Sequence, residues 1–359
     1  MTTNDQSDDA PRRATIEDVA AGAGVSVATV SRALRGLPNV AESTRKRVTD
    51  VAVRLSYRAD PAAARLAAGR TGTVTVAVPS LNGWYFSTVV AGAEAVCAEA
   101  GLEFQVIAIA TSAQRDRLLD EVYRIERRTD GLIMIDITVT NEQAASLRHR
   151  RVSLATVGSR VHEHPSVAID DEHVGRVAAD HLLRLGHRRI AVIGGVADGP
   201  LSFDAPVARR RGFESALAER GVDLPDRCFA NGHFSVAGGH EAMSTLLDTP
   251  EPPTAVFAMS DEMAFGALMA FDEHSVRPGA DISIMGVDDH EFAQVVDLTT
   301  VRQPVAGHGS TAARMLVDNM NREGRGAVPD EPAALESCEV QPDVELVVRS
   351  TTGPPRADR

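Results

Sequence analysis

The chain has 359 residues, 43% of them hydrophobic and 4% aromatic, and a formal net charge of −13 at pH 7. That length exceeds one average domain and is ample for a sizeable core, while the three cysteines, Cys97, Cys228 and Cys338, are too scattered for a disulfide framework or a zinc site. No run of about 18 apolar residues is present to cross a bilayer, and MTTNDQSDDAPRR has no apolar stretch after its charges, so a cytoplasmic protein without a membrane partner is expected.

Residues 1–14 are polar and predict a disordered lead. Thr15 with Asp18 three residues later forms a capping box, and Ile16, Val19, Ala20 and Ala23 share one helical face, which predicts a first helix over Ile16–Ala23. Gly24 breaks it. Ser26 is placed to cap a second helix whose apolar side is Val30, Ala33 and Leu34. After RGLPNV, residues 42–55 put Val48, Val51, Ala52 and Leu55 on one face, with Arg45, Lys46 and Arg47 near the start. A short helix follows in PAAARLAAG, where Pro61 suits a first turn and Gly69 a C-cap, although alone in water it would be marginal.

From Thr73 onward the pattern changes. Near-continuous apolar strands (TVTVAV, EFQVIAIA, GLIMIDI, VSLATVG, SVAID, RIAVIGG, TAVFAMS, ISIMGVDD) alternate with helical segments such as GAEAVCAEAG, residues 115–127, HVGRVAADHLLRLG, ARRRGFESALAERG and EMAFGALMAFDEH. Buried parallel sheet in two α/β subdomains is the expectation. Charge is uneven: from Pro11 to Arg70 eleven Lys or Arg face five Asp or Glu, a balance of +6, which leaves −19 for the remainder. A basic head on an acidic body implies an anionic partner at one end.

TIEDVAAGAGVSVATVSRAL, TRKRV, LSYRADPAAARLAAGRTGTV, HLLRLGHRRIAVIGG, RRRGFESAL, TAVFAMSDEMAFGAL and GVDDHEFAQVVDLTTVRQP occur in this order. From about Thr15 to Thr351 the chain resembles the LacI/GalR family of bacterial transcription regulators. The resemblance implies an all-α helix-turn-helix head and an α/β periplasmic-binding-protein-like core of two parallel-sheet subdomains. The expected divisions are a head at 15–57, a linker and hinge helix at 58–71, and an effector-binding and dimerisation core at 72–351. Within the core, the N-subdomain would take 72–171 and 304–334 and the C-subdomain 172–303 and 335–351, followed by a disordered tail at 352–359.

By match to the family, Val27, Ala28 and Arg32 are base-facing. Arg32 can form a bidentate pair with guanine, whereas Val27 and Ala28 offer only apolar contact, for example with a thymine methyl. Ser26, Thr29 and Ser31 are better placed for phosphates. Leu66 could be core on its short helix; the resemblance instead implies an apolar wedge in the minor groove. The chain departs from the family pattern just upstream, with Ala59 and Asp60 in place of Pro-Asn and Pro61 shifted inward.

For the cleft, the match implies Tyr85, Phe86, Arg209, Phe234, Asp261 and Asp288 as effector-binding residues. Carboxylates accepting from hydroxyls, a guanidinium fork and aromatic faces suit a polyol. Asp261 could equally be the N-cap of the next helix, and of Arg209, Arg210 and Arg211 only the first matches a ligand position. Asp288 and Asp289 lack a third ligand for a metal, so no metal or cofactor is expected. Trp84 and Gly83 stand where the family commonly has Pro and Asn; Trp84 could shape the pocket or merely pack.

An enzyme is not expected: GxSxG, GxxxxGKS/T, HExxH and a GxGxxG after a strand are all missing from the sequence, and His162, His164 and His308 have no evident partner set. A soluble sugar-binding protein would have no use for a basic three-helix head, and a nucleoid-type protein would bind DNA with low specificity. The expectation is a homodimeric repressor of a palindromic operator in double-stranded DNA, under allosteric control by a small-molecule effector, a sugar or alternatively a nucleobase.

Overall fold

A computed structural model describes residues 14–34, 39–57, 70–121, 125–195, 201, 204–323 and 339–356. The chain divides into two compact units, Met1–Gly72 and Thr73–Arg359. The expected hinge helix, including Leu66 and the Ala59-Asp60-Pro61 departure, lies outside the described residues, as does the lead up to residue 13.

In the first unit, α1 (Ile16–Ala23) starts at the Thr15–Asp18 capping box and stops at Gly24, whose left-handed backbone turns the chain toward α2 (Val27–Leu34). The Ser26 hydroxyl accepts from the Thr29 amide at 3.2 Å, which satisfies an otherwise orphan donor at the start of α2. Helix α3 (Glu42–Arg54) closes the module, and Val19, Ala23, Val30, Ala33, Val48, Val51 and Ala52 form its core. Arg45 donates to the Ala33 carbonyl at 3.2 Å, tying α3 to the end of α2.

The second unit holds two six-stranded sheets. The first contains β1 (Thr73–Val78), β2 (Glu103–Ala108), β3 (Gly131–Ile135), β4 (Ser153–Val157), β5 (Ser166–Val167) and β11 (Glu339–Val340), in the order β11-β5-β4-β3-β1-β2, all parallel. Alternate residues point to opposite faces. Val74, Val76, Ile133 and Ile135 pack beneath α4 (Trp84–Glu99) and α11 (Val305–Glu323); Leu132, Met134 and Leu154 meet Leu119 of α5 (Ser112–Asp120) and Leu147 of α6 (Asn141–His149). Both faces are covered, which is why these strands read as unbroken apolar runs.

The second sheet contains β6 (Ile190–Gly194), β7 (Phe229–Asn231), β8 (Ala255–Ala258), β9 (Ser283–Asp288), β10 (Thr299–Arg302) and β12 (Glu345–Val347), in the order β12-β10-β9-β8-β6-β7 with only β12 antiparallel. It is flanked by α7 (Asp171–Arg184), α8 (Ala205–Ala218), α9 (Val236–Leu247) and α10 (Asp261–Glu273), and Phe213 stacks on Phe257 at 4.8 Å in its core.

Two expectations are corrected. Residues from 335 were assigned to the C-subdomain, but Glu339 and Val340 pair with β5, so the chain leaves the first sheet only after Val340; Arg160 pairs with Glu339 there. The tail at 352–359 was expected to be disordered, yet its described part is bonded down. Gly353 donates to Ser283 at 3.0 Å and accepts from His187 at 2.8 Å, and Arg356 pairs with Asp281 at 2.9 Å.

Candidate functional site

Helix α2 presents a small neutral face. Ser26, Val27, Ala28 and Arg32 are exposed, Thr29 and Ser31 are half-buried, and Val30 and Ala33 are core. Val27 is 40% exposed although it is apolar and immediately beside that core. Lys46 and Arg47 on α3 are also exposed. The unit therefore carries an apolar pair and a guanidinium on its second helix, with further cations on the third.

In the second unit, the carboxyl ends of the strands of both sheets converge on a cavity of about 410 Å³. Ligands of open α/β sheets bind in such crevices. Tyr85 and Phe86 enter it from the first turn of α4, Asp136 from the end of β3, Asp171 from the start of α7, Arg209 from α8, Phe234 from the turn before α9, and Asp288 from the end of β9. Four non-glycine lining residues hold positive φ: Asp136 at 49°, His233 at 51°, Phe234 at 48° and Asp288 at 120°. Such backbone conformations cost about 1–3 kcal/mol each and gather at ligand clamps.

Arg209 anchors the charge pattern. It is 7% exposed and donates to Asp171 at 2.7 Å and to the Met259 carbonyl at 2.6 Å. Close helix packing creates this pair: side chains at Gly175 or Gly212 would collide with the carbonyls of Arg209 and Glu172, so α7 and α8 touch backbone to backbone and Asp171 faces Arg209. Burial opposes the guanidinium charge, but Asp171 and Asp288 more than restore it. Arg210 and Arg211 turn outward to Glu214 and Glu172.

The carboxylates behave differently from surface acids. Burial, then the neighbouring Asp171, pushes Asp136 up to about 7. Burial likewise takes Asp288 to about 7, against the pull of Arg209 and of Gln303, whose amide donates to it at 2.6 Å. Tyr85 is held well above the ordinary phenol range, first by burial and then by Asp136, so it remains a neutral donor.

Five of the six expected cleft residues meet at the cavity; Asp261 does not. It is fully buried, and its carboxylate accepts from the His290 amide at 2.8 Å and the Thr300 hydroxyl at 2.7 Å. Nor is it the N-cap, because the Ser260 side chain accepts from Met263 N–H. Asp261 thus braces β9 and β10 from behind the cavity. Asp289 points away from Asp288 into Arg302 at 2.7 Å and Arg349 at 2.6 Å. Among the described residues, no group of three or more His, Cys, Asp and Glu is arranged to hold a metal.

Trp84 packs rather than lining the cavity. Its ring lies 4.4 Å from that of His290, and its backbone N–H donates to Glu262, a residue on the opposite subdomain whose pKa burial raises. Sequence reasoning passed over Asp136, Asp171, Gln303, Glu262 and His308 as cavity residues. An acid directly after an apolar strand, as in GLIMID, is the signal that could have found Asp136.

Catabolite control protein A from Priestia megaterium is 32% identical over 314 residues, covering 86% of this chain and 93% of that protein. The chain belongs to the lacI family. Residues 15–60 match the model of the bacterial regulatory proteins of the lacI family, and residues 179–352 match a periplasmic binding protein-like domain. A lac repressor dimer bound to operator and the anti-inducer ONPF is similar in structure, with a TM-score of 0.76, 27% identity, and coverage of 95% of this chain and 100% of that one. A transcriptional regulator CelR–cellobiose complex aligns with a TM-score of 0.64 at 29% identity, over 94% and 100%. As a lacI-family member the protein is a DNA-binding transcription regulator with a helix-turn-helix head and a ligand-binding core. No described helix is long and apolar enough to cross a membrane.

Proposed function

We propose that the protein is a homodimeric repressor whose hold on a near-palindromic operator is released by an uncharged sugar bound in the cleft. The observation that carries this reading is that residues of both subdomains line one cavity: Tyr85, Phe86 and Asp136 from one, Arg209, Phe234 and Asp288 from the other. A ligand touching both sides binds one arrangement of them better than another, and that differential affinity is what shifts a conformational equilibrium. Carboxylate acceptors, the Arg209 fork and the faces of Phe86 and Phe234 fit hydroxyls and a sugar ring, and the CelR relative is described with cellobiose.

On the DNA side, Val27, Ala28 and Arg32 read bases, while Ser26, Thr29 and Ser31 contact phosphates, with Ser26 also capping α2. Leu66, expected in the hinge, serves as the central wedge, so Leu66→Ala reduces operator bending while sparing non-specific binding. Dimerisation is supported by Phe292 and Val295, 58% and 74% exposed on one short segment with Val296, an apolar patch that a second copy would cover. Two-fold symmetry in the protein then imposes matching half-sites. Reading DNA places the protein with the chromosome in the cytoplasm, and it has no turnover to perform.

Selection of bound duplexes from a random library by the full chain tests the reading. A two-fold symmetric motif whose recovery falls when uncharged sugars are added is expected. Enrichment of a single unrepeated half-site, or no enrichment, would count against it.

A further inference from the structure

Among the described residues, one buried side-chain atom of the cleft lining has no hydrogen-bond partner. His308 sits in the first turn of α11, is 2% exposed and lines the cavity, yet its buried Nε2 has no hydrogen-bond partner among the described residues. Leaving a buried polar atom unpaired costs about 1–3 kcal/mol, so such an atom in a native structure requires an explanation, and a ligand supplies one here.

The ring is held in place by its helix. A side chain at Gly309 would collide with the Val89 carbonyl and one at Gly92 with the Ala306 carbonyl, so α4 and α11 touch along their backbones on either side of His308. The His308 amide donates to the Pro304 carbonyl at 3.0 Å, which fixes the turn. Burial, and then the charge of Arg209, lowers the imidazole to about 4, so near neutral pH the ring is uncharged and offers one N–H and one lone pair.

The acids facing the cavity are Asp136, Asp171, Glu262 and Asp288, of which Asp136 and Asp288 are partly protonated near neutral pH, against Arg209, whose guanidinium is already bonded to Asp171. An anionic group on a ligand would meet repulsion there, while hydroxyls find acceptors. A hydroxyl is also the group that both donates and accepts, and so satisfies an imidazole in either tautomer.

Resting on the reading of this cavity as the effector site, we propose that His308 is a specificity-determining residue that hydrogen-bonds, through Nε2, a ring hydroxyl of an uncharged polyhydroxylated effector. The test uses the full chain and its His308→Leu, His308→Met and His308→Gln variants. Thermal unfolding and calorimetric titration are run against a panel of uncharged pentoses, hexoses and disaccharides, with glucose 6-phosphate and ribose 5-phosphate alongside. At least one uncharged sugar should raise the Tm of the unmodified protein while the two phosphates do not. His308→Leu and His308→Met should bind that sugar about tenfold more weakly, roughly the worth of one neutral hydrogen bond. His308→Gln, which keeps a polar atom near that place, should recover most of the affinity, and the unliganded Tm of the two apolar variants should not fall.

Unchanged sugar affinity in the apolar variants, or tighter binding of a sugar phosphate, overturns the proposal and leaves the cleft as the effector site. A lowered unliganded Tm with unchanged affinity does the same by assigning His308 to packing. If no sugar in the panel shifts the unmodified protein, the cleft reading fails and the His308 assignment falls with it.

Discussion

The indole of Trp84 lies 4.4 Å from the imidazole of His290, their planes inclined by 36°, and this contact joins the two subdomains beside the effector cleft. His290 is itself sandwiched, with Phe292 stacked at 5.1 Å and Phe265 edge-on at 5.2 Å. Trp84 is the sole tryptophan of the chain. Its fluorescence therefore reports the position of one subdomain against the other. A sugar that occupies the cleft should change the emission in the unmodified protein and change it much less in His290→Ala, as read by fluorescence titration.

The Asp171–Arg209 pair governs stability as well as recognition. The two side chains are 12% and 8% exposed, so Asp171→Ala leaves a buried guanidinium without its carboxylate. Breaking a buried pair from one side costs about 3–5 kcal/mol, and replacing both partners by apolar groups costs far less. Urea unfolding should show that loss for Asp171→Ala and its partial recovery in Asp171→Ala with Arg209→Met.

Stability should also fall with rising pH across the weakly acidic range. Asp136 and Asp288 leave their ordinary value of 3.8 for about 7 on folding, so between those limits the native state keeps protons that the unfolded chain has released. Stability then declines as pH rises and levels off above about 7, because the slope follows the protons bound by the unfolded minus the native state. Asp136→Asn and Asp288→Asn should each flatten the profile in chemical denaturation from pH 4 to 8; an unaltered profile would place the proton elsewhere.

On the DNA face, Arg32→Ala should cost roughly 1–3 kcal/mol at one base-pair position, whereas Lys46→Ala should weaken all sequences evenly and reduce the salt slope by about one. Anisotropy titrations against the selected operator and its single-base variants separate the two. A uniform loss for Arg32→Ala would remove it from base reading.

The head was legible because its signals are local: the Thr15–Asp18 box, Gly24 and the apolar period of α3 are all read within one or two turns. Strands β1 and β3 were legible for a related reason, since burial on both faces leaves an unbroken apolar run. Helix α9 was not, because its start carries Gly238, packed on the Gly232 carbonyl, and Gly239, packed on Met263 of α10, which give no helical signal, and β10, TTVR, carries its polarity into the core. Helix α4 begins at Trp84, well before the expected GAEAVCAEAG, because Gly83 is an extended N-cap without a side-chain signal. The cleft was half legible. Asp136, Asp171 and the neighbours Gln303 and His308 come from three distant parts of the chain and meet only where strand ends converge, and Asp261 has the residue type of a ligand but is turned toward Thr300. His308, for which the sequence offers no evident partner set, is buried in α11.

The claim that cleft occupancy governs DNA binding is tested most directly by operator affinity with and without the sugar that raises the Tm of the unmodified protein. Affinity should drop by about 5–150-fold on adding the sugar, the usual range of allosteric coupling. It should not move in Asp288→Asn, whose carboxylate would no longer hold the ligand. An operator affinity in the unmodified protein that is the same with and without bound sugar would contradict the account.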